Sequence, residues 1–464
     1  MRIKRIVFGF MVLSLLACNY VTQMIYPPTA TPIPTSTATQ TATASPSPTP
    51  TPLIPAFIPP ECANTPLATV PPEVALAQPT EASQIVEITQ DRQLRILREL
   101  GDIVKDIYVY PDFNGLDWDA IETKYREKIE AGLVTETFYV EMQAMITELK
   151  DEHSFFLSPV EARLSESELR GENEFVGVGI YGQPDFQNER FIVISAFPGS
   201  PAEYAGIQAH DSILLIDGRP VRDDGTGNPL RGPQCSSVVL TVQSPGEASR
   251  VVMLVRQLIE GGLAIDHRLV GTTDGSKIGY IFIPTFFDET IPPQIENALN
   301  EFGPLDGLIL DVRLNGGGSS NVVDPILAYF ASGRLGQFVS RRSSRSMNVD
   351  PDPIQNSQTV PLVVIVSEDT VSFGEVFAGV LKDSGRAKVV GQTSLGNVEV
   401  LHGYDFEDGS QVWIAAETFH SAFSEISWEE TGIIPDVQAF QAWETFYFET
   451  DPSVAAAVTL LGHQ

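Results

Sequence analysis

Between Arg5 and Glu61 the chain carries no charged residue, and from Pro27 to Pro60, 23 of 34 residues are Pro, Thr or Ser. Such a stretch has too little apolar side chain to build a core and favours extended, polyproline-like backbone. It divides the 464 residues into a short head and a long body. Up to Gln84 three basic residues balance three acidic ones, so the whole formal charge of −31 lies in residues 85–464. That acidic body argues against nucleic acid, whose phosphates require Lys and Arg, and against a polybasic hold on anionic lipid. Apolar residues make up 43% of the chain and charged residues 19%. This supports real cores, and the length implies more than one domain. The three cysteines, Cys18, Cys62 and Cys235, are too few for a disulfide scaffold or a four-cysteine zinc site. The six histidines form no His-x-x-x-His pair. No metal or cofactor is expected.

Arg2, Lys4 and Arg5 precede a mostly apolar run, Ile6 to Ala17. It is shorter than the ~20 residues of a spanning helix and reads as a signal peptide. Its end, Leu15-Leu16-Ala17-Cys18, resembles the bacterial lipobox. The resemblance implies that Cys18 is lipidated and anchors an extracytoplasmic protein to a bacterial membrane, with the Pro/Thr/Ser stretch as a spacer. An ordinary cleaved signal is the plainer alternative. In that compartment Cys62 and Cys235 either pair or remain free thiols.

The body changes character twice. Leu94, Leu97, Leu100, Val104 and Ile107 recur at helical spacing, followed by amphipathic stretches Ile121 to Ile129 and Thr135 to Lys150. Short β-rich runs follow, at Phe191–Ile194, Ile213–Ile216, Val238–Val242 and Val251–Val255, separated by Asp217-Gly218 and Pro245-Gly246. From residue 261 strands and helices alternate. Gly307 to Arg313 enters the glycine turn Asn315-Gly316-Gly317-Gly318, and Pro361 to Val366 leads to Ser372-Phe373-Gly374-Glu375. This is an α/β pattern, with chemistry expected at strand C-termini.

The segment Pro198 to Ile207, with Asp211 and Ile216-Asp217-Gly218, closely resembles a bacterial PDZ domain. Phe175, Val176, Gly177, Val178, Gly179 and Ile180 look like its carboxylate-binding loop, where backbone N–H groups receive a peptide C-terminus. His210 stands where that family usually has Gly. Together with Leu149-Lys150-Asp151-Glu152-His153-Ser154, Asp311 to Gly318, Thr370 to Glu375 and Gly432-Ile433-Ile434-Pro435-Asp436, the pattern is similar to the tail-specific, or C-terminal processing, serine proteases. The resemblance implies an α+β multidomain protein. Its parts are a lipoprotein signal (1–17), a linker (18–84), a helical N-terminal segment (85–165), a PDZ β-domain (166–260) and a crotonase-like α/β protease core (261–464). It also implies protein or peptide substrates with free C-termini. It leaves the oligomeric state open.

By the same resemblance Ser372 is the nucleophile. A serine at a strand-to-helix turn is exposed, and the helix N-terminus favours developing negative charge. Backbone N–H groups of Gly316 or Gly317 and of Phe373 would form the oxyanion hole. The main branch of the family places a lysine base 25 residues later, which here is Asn397, and a carboxamide accepts no proton at physiological pH. Lys382 and Lys388 are off that position. A tricorn-type branch uses a histidine before the PDZ domain and a late carboxylate instead. That implies His153 as base and Glu429, or secondarily Glu430, as its orienting group. His402 and His420 read as solvated strand or loop residues. The reading from a different functional class is a catalytically inactive peptide-binding scaffold.

Overall fold

The computed structural model describes residues 54–63, 86–151, 153–169, 175–222 and 228–463. The signal region with Cys18 and most of the linker lie outside the described residues. No described helix is long and apolar enough to cross a membrane.

Three helices open the body. Gln90–Ile107 is capped by Thr89, whose side chain accepts the Arg92 N–H, and Trp118–Glu130 by Asp117, which accepts from Ala120. Thr135–Thr147 follows. Such caps satisfy backbone donors that the first turn leaves unpaired. The expected stripes face inward: Leu97, Leu100, Val104, Phe138, Met142 and Met145 are all buried. The third helix stops earlier than its pattern suggested, because Lys150 takes a positive φ of 55° and reverses the chain. The helical segment does not stand apart. Its core includes Phe406, Val412 and Ile414 from far along the chain. The short strand Phe155–Leu157 pairs antiparallel with Gln411–Ser421, Phe155 opposite Trp413.

The PDZ region folds around a sheet ordered Ile180–Asp185, Arg190–Ala196, Ser212–Ile216, Ser237–Gln243 and Arg250–Val255. All four expected β-rich runs lie in it. His210 adopts a φ of 73°, the left-handed region that explains the usual glycine. Its ring offsets that strain by stacking on Trp443 at 3.8 Å, with Nδ1 2.7 Å from the Trp443 carbonyl. Trp443 Nε1 donates in turn to Val193 O at 3.0 Å. The departure at His210 thus docks the PDZ sheet on the C-terminal segment. The end of the linker also departs from a featureless spacer. Cys62 and Cys235 are disulfide-bonded, with Cα atoms 5.3 Å apart, and Phe57 stacks on Tyr204 at 4.1 Å. A covalent tie and an aromatic contact hold residues that composition alone assigned to open chain.

The core sheet runs His267–Val270, Ile278–Phe282, Gly307–Asp311, Leu362–Val366, Lys388–Gly391 and Val437–Gln438. It is parallel except for the first pair. Its central strands are apolar on both faces, as a covered parallel sheet requires. One face packs against the helices Ile291–Phe302, Ser320–Phe330 and Phe373–Asp383. The other takes Pro452–Leu460 and the PDZ residues Ile192 and Ile194. At the C-terminal ends of these strands lie the turns carrying Gly316, Ser372 and Asn397. A second sheet joins Phe155–Leu157, Gln411–Ser421, Gly333–Ser340, Ser344–Val349 and Val400–Asp405.

Candidate active site

Ser372 is the N-cap of the helix Phe373–Asp383 and adopts φ 57°, a conformation rare for a residue with a Cβ. The surrounding bonds impose it. The Ser372 N–H donates to the Asn397 carbonyl at 2.8 Å, and Val371 N–H to the Asn315 carbonyl at 3.0 Å. The fully buried Glu375 carboxylate accepts from Ser394 Oγ, Gly396 N–H and Asn397 N–H at 2.6–2.8 Å. It also accepts from Ser372 N–H at 3.3 Å. Glu375 therefore ties the nucleophile turn to the Asn397 turn.

The glycine turn lies directly beside it. A Cβ at Gly317 would come within 2.7 Å of the Ser372 Cβ, so only glycine fits there. Asn315 shapes the turn: its Oδ1 accepts the Gly317 N–H at 2.9 Å and its Nδ2 donates to Ile283 O at 3.1 Å. This commits the Gly317 N–H and removes it from the expected oxyanion donors. The Gly316 and Phe373 N–H groups make no hydrogen bond among the described residues.

His153 reaches the site through a local turn. Asp151 Oδ1 accepts the His153 and Ser154 N–H groups at 3.0 and 2.9 Å, and Asp151 Oδ2 accepts Ser154 Oγ at 2.6 Å. Ser154 Oγ then receives the Ala415 N–H at 3.0 Å. The Asp-x-His-Ser motif is thus an Asx-type turn hooked to the strand Gln411–Ser421. His153 Nε2 lies 2.7 Å from Glu399 Oε2 and 3.8 Å from Glu429 Oε1. Glu399 Oε1 accepts the Tyr110 hydroxyl at 2.5 Å, and Glu429 Oε2 accepts Val398 N–H at 2.8 Å.

The charges in this cluster are coupled. Burial disfavours the imidazolium, but the carboxylates of Glu399 and Glu429 outweigh it and hold His153 up at about 9. Burial likewise opposes the Glu399 carboxylate, and the His153 contact overrides it, bringing Glu399 down to about 2. For Glu429 burial wins, joined by its neighbour Glu399, and the carboxyl is pushed up to about 7. Two carboxylates this close do not both ionise freely.

Of the expected site residues, Ser372, His153 and Asn397 line one cavity of about 1070 Å³, together with Gly316, Glu399, Leu401, Trp413 and Phe287. Phe175, Val178, Gly179 and Ile180 of the PDZ loop line the same space. Val176 and Gly177 do not line it; with Phe175 they form the strand Phe175–Gly177, paired with Gln257–Ile259. Glu429 touches the histidine; Glu430 is exposed and makes no contact with it among the described residues. His402 and His420 lie on strands away from Ser372, near Glu417 and Thr418 respectively. Sequence reasoning missed Glu399 and Tyr110. The only signal for Glu399 was a carboxylate two positions beyond Asn397 in an otherwise apolar stretch.

Comparison with known proteins gives a consistent picture. Residues 277–439 match peptidase family S41, residues 93–137 the tricorn protease C1 domain and residues 166–224 the PDZ domain. The chain is 30% identical over 378 residues to a carboxyl-terminal-processing protease of Picosynechococcus, covering 79% of this chain and 88% of that one. It is 27% identical over 305 residues to the carboxy-terminal processing protease CtpB of Bacillus subtilis, covering 64% and 61%. Among solved structures it resembles the photosystem II D1 C-terminal processing protease. The TM-score is 0.56 at 25% identity, covering 79% of this chain and 99% of that one.

Proposed function

Because the chain belongs to the carboxyl-terminal processing serine proteases of peptidase family S41, we propose that it cleaves proteins near their C-termini with a Ser372–His153 pair in place of the serine–lysine pair. A non-catalytic scaffold is not favoured by that kinship. The observation that carries the proposal is the placement of His153. The imidazole shares a cavity with Ser372, while Asn397 contributes its backbone carbonyl to the Ser372 N–H and has no group able to accept the hydroxyl proton.

The reaction then runs as acyl transfer. Ser372 Oγ attacks the scissile carbonyl carbon and its proton passes to His153 once that ring, cationic at rest, has given up its proton to solvent. Gly316 and Phe373 N–H groups receive the oxyanion. The imidazolium protonates the leaving amine as the C–N bond breaks. Water, deprotonated by the same ring, hydrolyses the acyl-enzyme. The PDZ loop, which faces the same cavity, captures the substrate's C-terminal carboxylate and raises the local concentration of the scissile segment. The test is labelling of the detergent-solubilised full chain by a fluorophosphonate probe, with and without a C-terminal peptide. Wild type should label, and Ser372→Ala and His153→Gln should not. Labelling retained by His153→Gln would move the base elsewhere. No labelling of folded wild type, even with peptide present, would overturn the proposal.

We also propose that a lipid on Cys18 holds the protein at the outer side of a bacterial membrane. The motif Leu15-Leu16-Ala17-Cys18 and the uncharged spacer that follows support this. Cys18→Ser should then move the protein from the membrane to the soluble fraction, and unchanged fractionation would refute the anchor.

A further inference from the structure

We propose that Glu399, rather than the late-sequence Glu429, is the carboxylate that positions His153 for proton transfer, and that Tyr110 in turn fixes Glu399. This rests on the reading of His153 as the base.

Three observations separate the two carboxylates. Glu399 Oε2 lies 2.7 Å from His153 Nε2, against 3.8 Å for Glu429 Oε1. Glu399 Oε2 has no partner of hydrogen-bond geometry among the described residues, so the contact is one of charge, and Coulomb attraction weakens from the first distance to the second. The Glu399 side chain is 1% exposed and that of Glu429 24%, so the charge on Glu399 acts through a lower dielectric. Finally, Glu399 is clamped: its second oxygen accepts the Tyr110 hydroxyl at 2.5 Å. Burial and the neighbouring Glu399 both push that phenol up, so it remains a donor. Glu429 Oε2 is engaged by the Val398 N–H instead, which anchors the carboxyl to the chain beside Glu399 and not to the ring.

With Nε2 beside Glu399, His153 Nδ1 makes no hydrogen bond among the described residues, and the residue lines the cavity that contains Ser372. Glu399 would then orient the ring and stabilise the imidazolium that forms when Ser372 gives up its proton. The titratable groups facing the ring are Glu399 and Glu429, with Tyr110 and Asp151 behind them. The carboxylates also hold the resting ring in its cationic form, up at about 9, so the acid limb of the rate profile falls on the alkaline side. Removing the charge of Glu399 disfavours the imidazolium, so the limb must move down towards the ordinary histidine value of about 6.5. A loss of structure alone lowers the plateau without moving the limb.

The experiment is the pH dependence of the fluorophosphonate labelling rate, and of kcat/KM on a C-terminal peptide, in the full chain. Glu399→Gln should lower the plateau by on the order of 10²–10⁴-fold and shift the acid limb down by one or more pH units. Tyr110→Phe, which leaves Glu399 charged, should cost about tenfold and leave the limb above neutral. Glu399→Asp should recover the high limb. Glu429→Gln should cost less than Glu399→Gln. A larger loss and limb shift in Glu429→Gln would overturn the assignment in favour of Glu429. A lowered plateau with an unmoved limb in folded Glu399→Gln would reduce Glu399 to a packing role. Failure of the His153 reading is visible separately, as labelling that survives His153→Gln.

Discussion

Ser372→Ala should lower kcat by about 10⁴–10⁶-fold while binding of a C-terminal peptide stays within about twofold of wild type. The substitution removes one oxygen and leaves in place the backbone bonds that hold the turn. The strained φ of 57° is imposed by the Asn397 carbonyl, the Glu375 carboxylate and the close glycine turn, and all three survive in the variant. The helix Phe373–Asp383 loses at most the Ser372 half of its capping box and keeps the half in which the Glu375 carboxylate accepts the Ser372 N–H. On the proposed reading peptide capture rests on the PDZ loop, and the Ser372 hydroxyl is a small part of the cavity wall. The chemical step loses its attacking atom, and the remaining rate is that of water assisted by the oxyanion donors. A residual kcat above about 1% of wild type, with contaminating protease excluded, would show that Ser372 is not the nucleophile. Peptide binding weakened in proportion to kcat would show that the residue serves ground-state recognition instead.

The second large effect concerns stability. Arg313→Met should destabilise the protein by about 3–5 kcal/mol, because it leaves two buried carboxylates without their cation. Arg313 is 5% exposed. Its Nη2 lies 2.7 Å from Asp311 Oδ2 and 2.6 Å from Asp451 Oδ2, and its Nε donates to both Asp311 oxygens. The Tyr280 hydroxyl completes the cluster, 2.8 Å from Asp311 Oδ2. Burial alone would favour loss of the Arg313 proton, and the two aspartates more than reverse this. The cluster joins two elements that matter for the site. Asp311 ends the strand that feeds the glycine turn, and Asp451 caps the helix Pro452–Leu460 by accepting from Ser453 N–H at 2.8 Å. Chemical denaturation followed by fluorescence measures the change. The double variant Arg313→Met/Asp451→Asn should recover part of the loss, since one stranded charge is removed. A change below about 1 kcal/mol would mean that water or local rearrangement rescues the carboxylates, and the latch would not hold as described.

The helices, the PDZ strands and the core strands were legible because each is a local pattern. Leu97, Leu100 and Val104 recur at helical spacing, and Leu308 to Leu310 form an apolar run of the kind a doubly covered sheet needs. Ser372 and His153 were picked out by resemblance, on the motifs Thr370 to Glu375 and Asp151-Glu152-His153, because a lone serine before a helix reads as an N-cap. The choice of carboxylate was open: Glu429 came first and Glu430 second because both precede a recognisable motif, and the structure puts Glu399 and Glu429 beside His153. On so short a helix one residue changes the direction of the side chain, and Glu430 faces solvent.

What the sequence by itself determined is the order of the parts: an uncharged spacer, a helical segment, a PDZ domain, and a serine after a buried strand with no lysine where the family's main branch has its base. Only the tertiary structure decided which groups meet. Pairing of Phe155 with Trp413, and of Val400–Asp405 with Gln411–Ser421, brings Tyr110, His153, Glu399 and Glu429 into one cluster. The physical reason is range. A helix, a turn or a buried strand is set by contacts among near neighbours in sequence. A buried acid–imidazole pair is set by electrostatics over a few ångströms in space, between residues that only the closed sheet makes neighbours.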